Sequence, residues 1–248
     1  MDLGLNGKAC IVTGASRGIG AATARMLEDE GADVLTVSRG GAELEIDLTE
    51  PDAADRVIGE CTDRHGRVDV LVNNAGTSHV KPLDELTDED WRAQWELHVM
   101  APMRLMRAVA PLMARNGGGR IVNVASSSGK RPSLTNAAYS VTKAAELSLS
   151  RVFADTWSKQ GVLVNAVTPG PVQTPLWLAE GGLADQQAAA KGVTREEALE
   201  AQREKIPLGR FGTEEEIAAV IVFLCSEQAS NVSGAAWSVD GGAVPVIL

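Results

Sequence analysis

The sequence is poor in the residues that build cross-links or metal centres. Its three cysteines, Cys10, Cys61 and Cys225, are scattered, with no CxxC and no histidine nearby. That argues against a disulfide framework and against zinc. The three histidines, His65, His79 and His98, also lack metal-ligand spacing. No apolar run approaches the roughly 18 residues of a membrane helix, and the opening MDLGLNGKAC is too polar for a secretory signal. Positive charge is in deficit, with 23 basic against 33 acidic residues and a formal charge of −10. Such a surface repels phosphate backbones and anionic membranes. The expectation is a cytoplasmic protein with no metal, nucleic-acid or membrane partner.

What is present is a core-forming α/β pattern. Hydrophobic residues make up 44% of the 248, enough for one sizeable domain. Short Val/Ile-rich runs at Ala9–Val12, Val34–Val37, Val70–Val72, Ile121–Val124 and Val162–Val167 read as strands buried on both faces. Helical patterns lie between or after them, at Ile19–Glu30, Ala53–His65, Glu89–Arg115, Ala138–Lys159 and Glu214–Ser226. The alternation predicts a doubly wound parallel sheet of Rossmann type in one domain over 1–248. Thr213 with Glu216 fits a capping box, and Thr87 with Asp90 a looser version. The segment Leu176–Ile206, interrupted by glycines, reads as a helical flap over a site or as a plain surface excursion.

Thr13-Gly14-Ala15-Ser16-Arg17-Gly18-Ile19-Gly20 follows the first strand and opens the first helix. Glycines there let the backbone turn tightly and approach a pyrophosphate, and a helix N-terminus supplies free N–H groups. An acid at the end of the second strand usually holds the ribose 2′-OH of NAD. Here that region reads Val37-Ser38-Arg39-Gly40, and Asp33 lies too early. Arg17 and Arg39 can instead converge on a 2′-phosphate, so NADP is expected over NAD.

Tyr139 is the only tyrosine, and Lys143 lies one helical turn beyond it. Ser126 follows the Ile121–Val124 strand, at the sheet edge where ligands sit. Hydride transfer to a carbonyl leaves an oxygen that needs a proton. A phenol, with an ordinary pKa of about 10, is a weak acid at neutral pH, and a neighbouring ammonium favours its ionised form. A serine hydroxyl can hold the substrate oxygen.

With these residues in place, the chain resembles the short-chain dehydrogenase/reductase family over nearly its whole length. Thr13–Gly20 resembles TGxxxGxG, and Asn73-Asn74-Ala75-Gly76 resembles NNAG. Ser126, Tyr139 and Lys143 match the catalytic serine and YxxxK, and Pro169-Gly170 matches the PG motif. Pro207–Gly212 and Val239–Gly242 resemble C-terminal signatures.

The resemblance implies roles. Tyr139 would be the general acid/base, Lys143 its electrostatic support and a ribose ligand, and Ser126 the substrate-oxygen ligand. Cofactor contacts would come from Gly14, Ser16, Arg17, Gly18, Ile19 and Gly20, and from Ser38, Arg39, Asp47 and Leu48 on the adenine side. Asn74, Gly76, Pro169, Gly170, Val172 and Thr174 would complete them. Ser128, Leu134 and Trp177 would shape the substrate pocket. A homotetramer would form through the helices Glu89–Arg115 and Ala138–Lys159, with the tail Val244–Leu248 at a subunit contact or a core strand end.

Two departures stand out. Where the family often has a fourth catalytic residue, an asparagine, this chain has His98; it is either a relay member or a packing residue. The stretch between Arg39 and Asp47 is too short for the usual helix, which leaves the adenine side open. The implied function is hydride transfer between NADP(H) and a carbonyl or secondary alcohol. The alternatives are an NAD-dependent dehydrogenase of the same family and a non-enzymatic NADP-binding sensor. Intact Ser126, Tyr139 and Lys143 speak against the sensor.

Overall fold

The computed structural model describes residues 2–245. A seven-stranded, all-parallel sheet runs through the chain, built from β1 (Ala9–Thr13), β2 (Asp33–Ser38), β3 (Leu44–Glu45), β4 (Val70–Asn73), β5 (Gly119–Val124), β6 (Val162–Pro169) and β7 (Ala236–Val239). Their spatial order is β3-β2-β1-β4-β5-β6-β7. The order reverses at β1, which pairs with β2 on one side and β4 on the other. In a doubly wound sheet, that reversal opens a crevice at the carboxyl edge where ligands bind.

Both faces of the sheet are covered, as the Val/Ile-rich strands require. Ile11, Leu35, Leu71, Ile121 and Val164 face one layer, formed by α2 (Ala53–His65), α4 (Ala101–Arg115) and α6 (Ala137–Trp157). Their chain neighbours Cys10, Val12, Val34, Val70, Val72 and Val122 face the other, formed by α1 (Gly18–Asp29) and α10 (Glu214–Cys225). The two-residue period of a strand thus divides one apolar run between two cores. All three cysteines are buried free thiols.

Several expectations need correction. The single helix expected over Glu89–Arg115 is three pieces: α3 (Asp88–Trp95), a π-helical segment Glu96–Met100, and α4. The Thr87–Asp90 cap is a complete capping box, with each residue's side chain accepting from the other's backbone N–H. The helix expected over Ala138–Lys159 ends at Trp157 and tightens into a 3-10 turn. Strands β3 and β7 lie outside the five Val/Ile-rich runs. No helix lies between Arg39 and Asp47, as expected; β3 occupies that span.

Leu176–Ile206 is helical, with α7 (Pro175–Leu178), α8 (Leu183–Lys191) and α9 (Arg195–Arg203). Ala184, Leu199, Ile206 and Phe211 form a separate small core beneath it. Arg195 ties α9 to α8 through Asp185 at 3.0 Å and also donates to the Leu178 carbonyl. Among the described residues, no helix is long and apolar enough to cross a membrane. Of the tail, Val246–Leu248 lie outside the described residues, Val244 is half-buried, and Pro245 is exposed.

Candidate active site

The carboxyl ends of β1, β4, β5 and β6 open onto one cleft of about 2140 Å³. That exceeds the roughly 300–1,000 Å³ of an ordinary small-molecule pocket and leaves room for a dinucleotide beside a substrate. Gly14, Ser16, Arg17, Gly18 and Ile19 line one end, together with Ser38, Arg39, Asp47 and Leu48. Asn74 and Gly76 line the middle. Ser126, Ser128, Tyr139 and Lys143 line the far end, with Pro169, Gly170, Val172 and Thr174. Leu134 and Trp177 stand at the substrate side. Of the expected residues, Gly20 and His98 lie behind the wall, both buried.

The glycine turn is held by its neighbours. Gly14 has φ +65°, and a Cβ on it would lie 2.8 Å from Ala75 Cα. A Cβ on Gly20 would run into the Gly14 carbonyl and the Asn74 amide. Asn74 Nδ2 donates to the Thr13 and Gly14 carbonyls at 2.9 and 3.2 Å, so it clamps the turn. Thr13 Oγ1 accepts from the Asn74 and Ala75 N–H groups. Gly18 is different: its Cβ position has nothing nearer than 3.8 Å and lies beside the cleft. This open cradle at the α1 N-terminus fits a pyrophosphate.

At the adenine side, Asp47 accepts from the Thr49 N–H and hydroxyl at 2.9 and 2.7 Å. Those bonds, with Arg39's charge beyond, hold its carboxyl below the usual range. Ser38 Oγ donates to the Gly40 carbonyl at 2.6 Å. Among the described residues, the guanidinium groups of Arg17 and Arg39 make no ion pair or hydrogen bond. Two guanidinium groups on the cleft wall with their N–H donors unused by the protein fit a phosphate on the adenosine ribose.

At the far end, Ser126 ends the β5 loop and caps α5 (Ser127–Lys130), its Oγ accepting from the Ser128 N–H at 3.1 Å. That bond uses an acceptor lone pair and leaves the hydroxyl proton for a ligand. Lys143 Nζ donates to the Val124 carbonyl at 2.8 Å and to Glu146 Oε2 at 2.7 Å. Its third N–H has no hydrogen-bond partner among the described residues, and Lys143 is one of the residues lining the cleft. The ammonium lies 5.8 Å from the Tyr139 ring centre. Burial alone would push the Lys143 pKa down, but the Glu146 carboxylate and Tyr139 more than reverse this.

His98 projects from the π-helical segment under Tyr139. It is fully buried, and the two rings meet edge to face at 5.3 Å. The Thr77 N–H donates to Nε2 at 3.1 Å, which puts the ring proton on Nδ1, facing Thr142 Oγ1 at 3.1 Å. The Thr142 hydroxyl in turn donates to the Tyr139 carbonyl. Burial first, then Lys143's charge, hold the imidazole neutral, well below its ordinary pKa. His98 makes no bond to Lys143. On the substrate side, Leu134 is 90% exposed on the rim. Trp177 packs edge to face on Phe211 at 5.1 Å, so it is partly committed to the small flap core.

Sequence reasoning missed Glu146, Thr77 and Thr142. Glu146 had a legible signal, since it stands three residues beyond Lys143 on the same helical face. Thr77 and Thr142 had none, because their role comes from the π-helical turn that aims His98.

The profile described as Enoyl-(Acyl carrier protein) reductase matches residues 14–244. The chain is 36% identical to "Uncharacterized oxidoreductase YvrD" of Bacillus subtilis, over 98% of this chain and 99% of that protein. It is 33% identical to the 3-oxoacyl-[acyl-carrier-protein] reductase FabG of Thermotoga maritima, over 97% and 99% of the two chains. The crystal structure of L-sorbose reductase from Gluconobacter frateurii, complexed with NADPH and L-sorbose, superposes with a TM-score of 0.91 at 34% identity, covering 100% of each chain. The glycine turn, the Ser126–Tyr139–Lys143 cluster and these full-length matches together place the chain in the short-chain dehydrogenase/reductase family of oxidoreductases.

Proposed function

We propose that this enzyme transfers hydride between NADP(H) and a carbonyl or secondary alcohol, with Tyr139 as general acid/base. The observation that carries the reading is the convergence of Tyr139, the Lys143 ammonium and the Ser126 hydroxyl at one end of a cleft. The other end of that cleft presents the Arg17 and Arg39 guanidinium groups, neither of them hydrogen-bonded among the described residues. The NADPH carried by the sorbose reductase relative supports the cofactor.

NADPH, when bound, supplies the hydride. The residues that would hold it are the Gly14–Gly20 turn, Arg17 and Arg39 at the 2′-phosphate, Lys143 at the ribose, and Val172 and Thr174 at the carboxamide. The Ser126 hydroxyl donates to the substrate oxygen and orients it. Tyr139 passes its phenolic proton to that oxygen while the carbonyl carbon gains its new C–H bond. The charge left on the phenol oxygen is stabilised by Lys143. Oxidation of an alcohol runs the same proton transfer backwards.

The relatives act on 3-oxoacyl groups and on sugars, and the shared chemistry is reduction of a ketone. The test is a panel of 3-oxoacyl thioesters, ketoses, cyclic ketones and the matching alcohols, followed by absorbance of the reduced nicotinamide. Turnover of at least one compound with NADPH or NADP+ is expected. Tight dinucleotide binding with no turnover across the panel would favour the sensor alternative.

A further inference from the structure

The flap sorts its charges. Residues 176–206 hold six acids and four bases. None of the acids lines the cleft, whereas Lys191 and Lys205 do. The other two bases are committed within the flap, Arg195 to Asp185 and Arg203 to Glu196 and Glu200. From the loop after α5, Arg131 lines the cleft as well. Among the described residues, the side chains of Arg131, Lys191 and Lys205 make no ion pair or hydrogen bond. Three carboxylates do reach the cleft wall, and each is engaged. Asp47 lies at the adenine end and holds Thr49, Asp90 pairs with Lys81, and Glu96 pairs with Arg104. In a chain of net charge −10, the substrate end of the cleft is left with surplus positive charge.

Lys191 is the best placed of the three cations. Leu183, Gln187 and Lys191, four residues apart, turn one face of α8 to the cleft. Residues between them fix the helix. Gln186 Oε1 accepts from the Val80 N–H, on the segment after β4, at 2.8 Å, and Asp185 pairs with Arg195. Lys191 and Gln187 also border a recess of about 230 Å³ walled by Val80, Pro82, Leu134, Thr135 and Ala190. Most of these residues line the cleft too, so recess and cleft adjoin. The end of α8 does not need the ammonium. Gly192, at φ +65°, and Val193 donate to the Ala189 and Ala188 carbonyls and close the helix.

We propose that the flap recognises an anionic substrate: a ketone carrying a carboxylate or phosphate group that is held by Lys191, with the Gln187 amide beside it. An ammonium is a compact charge suited to either anion. The apolar wall of the recess suits the carbon chain that joins the anion to the carbonyl. Arg131 and Lys205 add to the field that draws the anion in. The proposal rests on the hydride-transfer reading and gives it a substrate class.

Its test is read without turnover, on protein saturated with NADP+, which cannot reduce a ketone. One arm is a series of straight-chain oxo carboxylates of increasing length, each with its methyl ester. The other is a phosphorylated ketose with its unphosphorylated parent. Calorimetric titration at low salt, where an exposed ammonium is least screened, should find at least one anion bound about tenfold tighter than its neutral partner. The arm that shows the preference assigns the anion. Lys191→Gln should abolish the preference and Lys191→Glu should reverse it, with thermal unfolding confirming the fold. Lys159→Gln removes an exposed lysine outside the cleft and should keep it. On any pair that turns over with NADPH, Lys191→Gln should raise KM for the anion more than it lowers kcat.

Equal binding of anion and neutral partner in both arms would overturn the proposal. So would a preference that survives both Lys191 substitutions, or loss of the fold in both, because the lysine would then serve structure. A Lys191-dependent preference with no turnover of any compound with NADPH would sustain the proposal and count against the hydride-transfer reading. Turnover of neutral ketones with no preference for anions would do the reverse.

Discussion

At the scale of single residues, the site works by leaving particular hydrogen-bonding capacities free. Ser126 keeps its proton, Lys143 keeps one N–H, and Arg17 and Arg39 keep their whole guanidinium groups. The arginines give the sharpest cofactor prediction. Arg39→Asp should lose about 1.5–3 kcal/mol of charge-assisted hydrogen bonding to the 2′-phosphate. It should move the NADP(H)-to-NAD(H) affinity ratio by about tenfold or more toward NAD(H), read by calorimetric titration; an unchanged ratio would contradict the assignment.

His98 carries a different prediction, because both of its nitrogens are engaged by threonines. Its folded-state pKa is depressed, so the unfolded chain takes up a proton that the folded protein refuses. Stability should therefore fall as pH drops below about 6.5, the ordinary histidine value. Thermal unfolding between about pH 7.5 and 5.5 should fall more steeply for the parent than for His98→Asn. A loss of stability in His98→Ala with turnover unchanged would make the histidine a packing residue; a loss of turnover restored by His98→Asn would make it part of the proton path.

At the scale of elements, what was legible in the sequence was what short-range chemistry dictates. The glycine turn, the five central strands and the Tyr139–Lys143 spacing each depend on residues within a turn or two of one another. Strand β3 escaped because it has only two residues and no apolar period. Strand β7 escaped because it is half-exposed, so its burial pattern carries no continuous apolar run. The π-helical segment escaped because one widened turn leaves the apolar spacing on either side intact, yet it decides where His98 points.

The glycine turn offers the element-scale test. Gly20→Ala would drive a methyl group into the Gly14 carbonyl and the Asn74 amide. It should cost about 1–3 kcal/mol of stability and weaken dinucleotide binding as the turn deforms. Chemical denaturation and calorimetry would check both, and a variant as stable and as tightly binding as the parent would contradict the clamp.

At the scale of the whole molecule, α6 carries the site on one face and an apolar stripe on the other. Lys143 and Glu146 point inward, while Val141 and Val152 are 45% and 58% exposed. They stand three turns apart on the same side, and Trp95 on α3 is 43% exposed. Such a stripe is what a helix-to-helix subunit contact would bury, in line with the homotetramer implied by the family resemblance. Light scattering should give the mass of four chains, and Val152→Asp should lower it. A monomeric parent would contradict this arrangement.

The central claim is that Tyr139 moves the proton in hydride transfer. Tyr139→Phe removes one oxygen and leaves the ring against His98 and the glycine turn untouched. On whichever substrate the panel identifies, kcat should fall by about 10²–10⁴-fold, while the calorimetric Kd for NADPH stays near that of the parent. Near-normal kcat in this variant, at unchanged NADPH affinity, would contradict the account.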